Sequence, residues 1–207
     1  MDKIIGILNY GVGNINSVYN SLIYLGYEPE IVTTPEEIEK YTHLIVPGVG
    51  SYGKAMSNIV ELGFDIAIVK HAQQGKPLLG ICLGMQILSE FGEEGGKIKG
   101  LGLILGEVKL LDLVDLPVPH MGWNSLNFNF DHPICINLKK HVDFYFVHSY
   151  FFNVHDEKNV LASTDYGKQF PAIVTKDNVV GIQFHPEKSQ DNGLLLIENF
   201  CEWDGKC

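Results

Sequence analysis

Apolar residues run along this chain in short blocks separated by helix-spaced stretches, and the alternation is regular through the first half. Residues 4–8 read as a first buried strand, and residues 17–25 as a helix closed by Gly26. Residues 30–33 and 43–46 are the next strands, with Thr34-Pro35-Glu36-Glu37 between them as a capping box carrying proline at the first helical position. Helices over residues 52–62 and 65–74, split at Gly63, lead to an apolar run at 78–81, after which residues 85–90 favour helix. Strand, helix and parallel strand repeated in this way predict an α/β fold with a mainly parallel sheet and an active site at its carboxyl edge. From Gly100 onward the blocks shorten and glycine and proline become frequent. Residues 107–111 and 124–128 read as antiparallel additions to the sheet, and residues 143–150 as an aromatic-rich strand. Strands at 160–164, 172–175 and 179–184 follow, then a closing helix at 191–201 with Leu194, Leu195, Ile197 and Phe200 as its apolar residues. No repeat or linker interrupts the pattern, so residues 1–207 are read as one domain.

Charge narrows the function. Fifteen basic against 25 acidic residues give a formal net charge of -10, which argues against nucleic acid or an anionic membrane as partner and for small-molecule chemistry. Cys82, Cys135, Cys201 and Cys207 show no C-x-x-C spacing and no paired histidines, so no metal site is expected and a reduced, cytoplasmic setting is the simplest reading. The apolar run at 4–8 is too short to be a signal peptide or membrane span.

Two stretches carry candidate chemistry. Gly80-Ile81-Cys82-Leu83-Gly84 places a cysteine on a strand-to-helix turn between glycines, the thiol counterpart of a nucleophile elbow. A helix start beside the sulfur favours thiolate over thiol. Alone, the pentapeptide also fits a buried cysteine on a glycine-rich turn. About a hundred residues on, Gly181-Ile182-Gln183-Phe184-His185-Pro186-Glu187 ends a strand with His185 and Glu187 two apart, on one side of an extended segment. A carboxylate on the far ring nitrogen of a histidine fixes its tautomer and stabilises the imidazolium, which is what a cysteine nucleophile needs of its base. His148 lacks a carboxylate at that offset.

Together these stretches resemble the class I glutamine amidotransferases, over nearly the whole chain. Pro47-Gly48-Val49-Gly50, Pro119-His120-Met121-Gly122-Trp123-Asn124 and Phe146-Val147-His148-Ser149-Tyr150 further resemble the glutaminase subunit of imidazole glycerol phosphate synthase. The resemblance implies a flavodoxin-like three-layer fold and a triad of Cys82, His185 and Glu187. It implies an oxyanion hole from the backbone N–H groups of Val49 and Leu83, and no cofactor. Gly48, Gly50, Gln86, Glu94, His148, Ser149 and Tyr150 are implied around the substrate L-glutamine, Glu94 taking its ammonium group. The implied partner is a (β/α)8-barrel cyclase forming a heterodimer, faced by Gly11, Gly13, Asn14, His120, Trp123, Asn124, Tyr145 and Lys188. His120 reads as exposed; Trp123 could instead pack under its own loop. Many relatives carry Asp where this chain has Asn9.

Other readings share these residues. A paralogue would feed ammonia to a different acceptor, such as a surface-polysaccharide sugar precursor. A stand-alone hydrolase of γ-glutamyl substrates would need no partner loops. A non-catalytic regulatory subunit would keep the fold without turnover, against which the intact triad weighs.

Overall fold

The computed structural model describes residues 3–139 and 142–207. Its first half runs β1 (Ile5–Leu8), α1 (Ile15–Tyr24), β2 (Glu30–Val32), β3 (His43–Gly48), α2 (Tyr52–Glu61), α3 (Phe64–Gln73), β4 (Leu78–Cys82) and α4 (Leu83–Gln86). Then come β5 (Phe91–Gly92), β6 (Ile98–Lys99), β7 (Gly106–Leu110), β8 (His120–Ser125), β9 (Asn127–Phe128), β10 (Asp143–His148) and β11 (Tyr150–Val154). The chain closes with β12 (Val160–Asp165), β13 (Gln169–Lys176), β14 (Val179–Ile182) and α5 (Gln190–Glu202).

An eight-stranded sheet in the order β2-β1-β3-β4-β14-β13-β12-β9 forms the centre. From β2 to β14 neighbours are parallel, and from β14 to β9 they are antiparallel. Side-chain alternation along the strands feeds two cores. Ile5, Ile7, Ile45, Leu79 and Ile81 pack with Val18 and Leu22 of α1 and Leu196, Ile197 and Phe200 of α5. Leu8, Leu44, Val46 and Leu78 point the other way, toward Ala55, Met56 and Ile59 of α2 and Phe64 and Ile68 of α3. Both faces of β1, β3, β4 and β14 are therefore buried, which is why they read as near-continuous apolar runs, while β2 at the edge is partly exposed.

Several expectations need correction. The capping box is present, with the Glu37 carboxylate accepting from Thr34 N at 3.2 Å, but the element it starts is a 3-10 helix, Pro35–Lys40. The helix expected at 85–90 is only Leu83–Gln86. Beyond it the carbonyls of Ile87, Leu88 and Ser89 accept from Leu101, Leu103 and Gly102 at 2.8–2.9 Å, so tertiary hydrogen bonds replace the helical ones. The strand expected at 107–111 does not extend the main sheet: β7 lies in a separate four-stranded sheet, β11-β7-β5-β6. The strand expected at 124–128 breaks at Leu126, leaving β8 paired with β10 in a two-stranded ribbon while β9 edges the main sheet. The strand expected at 143–150 breaks at Ser149, where the chain passes from that ribbon into the four-stranded sheet.

Candidate active site

Cys82 ends β4 at φ 54° and ψ -108°, a backbone conformation that non-glycine residues adopt only under strain. Glycines make room for it. A β-carbon on Gly84 would overlap the Val46 carbonyl and one on Gly80 the Gly84 carbonyl, so the turn folds tightly back on β3 and β4. Gly48 supports the same turn from β3, where a β-carbon would lie 2.7 Å from the Tyr10 hydroxyl and 2.8 Å from Leu83 Cβ.

The parallel pairing of β14 with β4, Ile182 opposite Ile81, carries the chain after β14 past the cysteine. His185 follows, held by its N–H to the Tyr145 carbonyl at 2.8 Å. Its Nδ1 lies 2.8 Å from Glu187 Oε1, with both side chains almost fully buried. The carboxylate accepts, so Nδ1 carries the proton. Nε2 has no hydrogen-bond partner among the described residues, and His185 and Cys82 line the same cavity of about 330 Å³. Burial pushes the imidazole pKa down, but the charge of the nearby Cys82 sulfur, with the hydrogen bond and charge of Glu187, outweighs it and raises the pKa to about 9. At neutral pH the ring is an imidazolium whose Nε2–H is ready to be given away.

Val49, Gly50, Leu83, Gln86, Glu94, His148, Ser149 and Tyr150 line this cavity as well; Gly48 does not, lying behind it instead. Leu83 is the first residue of α4, so its N–H has no acceptor within that helix. Gln86 donates both amide protons inside the protein, to the Tyr150 carbonyl at 2.9 Å and to Gln183 Oε1 at 3.1 Å, which leaves only its own oxygen to meet a ligand. Glu94 accepts from Tyr52 N at 2.7 Å, at the start of α2.

His148 Nδ1 donates to the Tyr150 carbonyl at 2.8 Å, so its Nε2 must accept from His120 Nδ1 at 3.0 Å. Burial keeps both rings neutral, holding His148 down to about 3 and His120 to about 4. His120 is therefore not the exposed residue its turn-rich surroundings suggested. It is 2% exposed and stacked between Phe146 and Tyr166.

On the outer face Trp123 is half exposed and meets Tyr145 edge-on at 5.9 Å, so it does not pack away under its loop. Lys188 lies over the same Tyr145 ring. The Asn124 side chain is spent within the chain, donating to the Asp165 carbonyl at 2.7 Å. Gly11, Gly13 and Asn14 form the loop after β1, where Asn9 Oδ1 accepts from Gly11 N and Asn14 edges a narrow space shared with Val49 and Glu187.

Two residues escaped the sequence reading. Tyr10, fully buried, donates its hydroxyl to the Pro47 carbonyl at 2.8 Å and thereby ties the loop after β1 to the Gly48–Gly50 turn. Burial and the Cys82 charge raise its pKa and keep it protonated. Gln183 donates to Cys82 Sγ at 3.8 Å. No local pattern marked it, because the strand ends at Ile182 and Glu187 lies in a 3-10 turn, Pro186–Lys188.

Comparison with known proteins gives the family. Residues 6–202 match the glutamine amidotransferase class-I family. Imidazole glycerol phosphate synthase subunit HisH 2 of Methanococcus maripaludis is 46% identical over 198 residues, 95% of this chain and 98% of that protein. Subunit HisH of Aquifex aeolicus is 45% identical over 195 residues, 94% of each chain. Among solved structures, PurLQS from Thermotoga maritima aligns at a TM-score of 0.76 and 22% identity, over 98% of this chain and 99% of that one, a likeness of fold. The chain belongs to the class-I glutamine amidotransferases and, within them, to the HisH family.

Proposed function

We propose that this chain is the glutaminase subunit of an imidazole glycerol phosphate synthase, hydrolysing L-glutamine and passing the ammonia to a (β/α)8-barrel cyclase. The observation that carries the reading is the strained Cys82 sharing a cavity with an imidazolium oriented by Glu187. In the proposed cycle the Cys82 thiolate attacks the side-chain amide carbon of glutamine, and the N–H groups of Val49 and Leu83 hold the oxyanion. His185 gives its Nε2 proton to the leaving nitrogen as the C–N bond breaks, and a glutamyl thioester remains. Neutral His185 then takes a proton from water as the oxygen attacks. The C–S bond breaks, thiolate and imidazolium are restored, and glutamate leaves. Gln86 contributes its carbonyl oxygen, which fits a donor on the substrate, and Glu94 suits the substrate ammonium group.

Ammonia released into neutral water is protonated and ceases to be a nucleophile, so it must pass directly to an acceptor site on a partner. The half-exposed Trp123, with Tyr145 and Lys188, suits a docking face for that partner. In the proposed pair the cyclase consumes the ammonia on a phosphoribulosyl-formimino carboxamide ribotide. The products are imidazole glycerol phosphate, for histidine synthesis, and an aminoimidazole carboxamide ribotide. The test is Cys82→Ala in the complex: glutamine-dependent synthesis should vanish while synthesis from ammonium salts persists. Loss of both together would overturn the division of labour.

A further inference from the structure

Gln183 is fully buried, one residue past β14, beside the nucleophile. Its orientation is forced by its neighbours. The Tyr150 carbonyl can only accept, so the amide nitrogen of Gln86 faces it, and the second proton of that nitrogen goes to Gln183 Oε1. Gln183 must therefore turn its own Nε2–H toward Cys82 Sγ, 3.8 Å away. The sulfur has a competing neighbour in the Val147 carbonyl at 4.0 Å, which accepts from a thiol and repels a thiolate. An N–H donor favours the charged sulfur; a carbonyl favours the neutral one.

We propose that Gln183 is a positioning residue for the nucleophile: its amide N–H fixes Sγ in the cavity and tips it toward thiolate against the Val147 carbonyl. What the thiolate does rests on the glutaminase reading above. The same hydrogen bond favours thiolate as leaving group when the thioester is hydrolysed, because a thioester sulfur is a poor acceptor.

The experiment follows alkylation of Cys82 by iodoacetamide across pH in the full chain, read at the Cys82 peptide by mass spectrometry, for the parent, Gln183→Met and Gln183→Glu. Methionine keeps the shape and loses the donor. Glutamate is isosteric, keeps the bond from Gln86 and turns an oxygen toward the sulfur. With Gln183→Met the acid limb of the profile should move up by about one pH unit, a tenfold change in the thiol–thiolate balance. On the acid limb the net loss of rate should be about threefold, because the more basic thiolate is also the better nucleophile. At high pH, where both thiols are ionised, the order should reverse, the variant alkylating about threefold faster than the parent. Gln183→Glu should move the limb further the same way, and it carries the test alone if the methionine variant fails to fold. A folded variant with the parent's profile would overturn the proposal. Alkylation needs no glutamine: shifted profiles beside a parent that releases no glutamate even with the cyclase and its ligand would leave the role of Gln183 standing and remove the glutaminase reading.

Discussion

His185 is the residue on which the proposed chemistry turns, and its charge state gives the sharpest residue-scale prediction. Its folded pKa, about 9, lies above the ordinary 6.5. The folded state therefore binds the proton more tightly than the unfolded chain does. The resulting stabilisation is fully present below pH 6.5 and is lost as pH rises through 9. Glutamate release should fall over the same alkaline range, as the proton donor for the leaving nitrogen disappears. Replacing Cys82 by alanine removes the sulfur that helps raise this pKa, so the ring should titrate lower by NMR in Cys82→Ala than in the parent; an unchanged titration would mean that sulfur and ring do not interact. Glu187→Gln should cost less activity than His185→Ala, because it disturbs the orientation of the base without removing it. Comparable losses in kcat would assign Glu187 more than an orienting role.

At the scale of elements, the elbow is held by glycine packing rather than by helix strength, since α4 has a single turn. Gly84→Ala would push a methyl group into the Val46 carbonyl. The clash should cost about 3 kcal/mol and lower the melting temperature by about 6–12 °C, with Cys82 displaced and activity lost; a parent-like melting curve would mean the turn has slack. The elbow was legible in the sequence because small residues round a cysteine are a local pattern. His185 and Glu187 were found as a pair, but not by the extended spacing expected of them: the strand stops at Ile182, and a 3-10 turn, Pro186–Lys188, brings the carboxylate back to Nδ1. The inner parallel strands were legible because both of their faces are buried and their runs are almost wholly apolar. Pairing was not. Residues 107–111 read correctly as a strand, but periodicity does not say which neighbour a strand chooses, and β7 joined a separate sheet. The burial of His120 was hidden for a related reason, since its partners His148, Phe146 and Tyr166 lie far along the chain. Helix propensity beyond Gln86 lost to acceptors needed by residues 101–103.

For the whole molecule, the account divides labour between two chains, one making ammonia and the other using it. The half-exposed Trp123, with Tyr145 and Lys188, forms the face proposed to meet the second chain. If that face docks the cyclase, Trp123→Ala should weaken complex formation at least tenfold, an effect in the range of interface aromatic anchors. The isolated chain should keep its melting temperature, because Trp123 is already half exposed. Titration calorimetry checks the binding and a thermal melt the stability, and undiminished binding would place the interface elsewhere. The most direct measurement is glutamate release from glutamine by the purified chain, first alone and then with a histidine-pathway cyclase and its ribotide ligand. Release should be slow from the chain alone and strongly stimulated by partner and ligand together. Full activity from the chain alone, or none in either condition with Cys82 reduced, would contradict it.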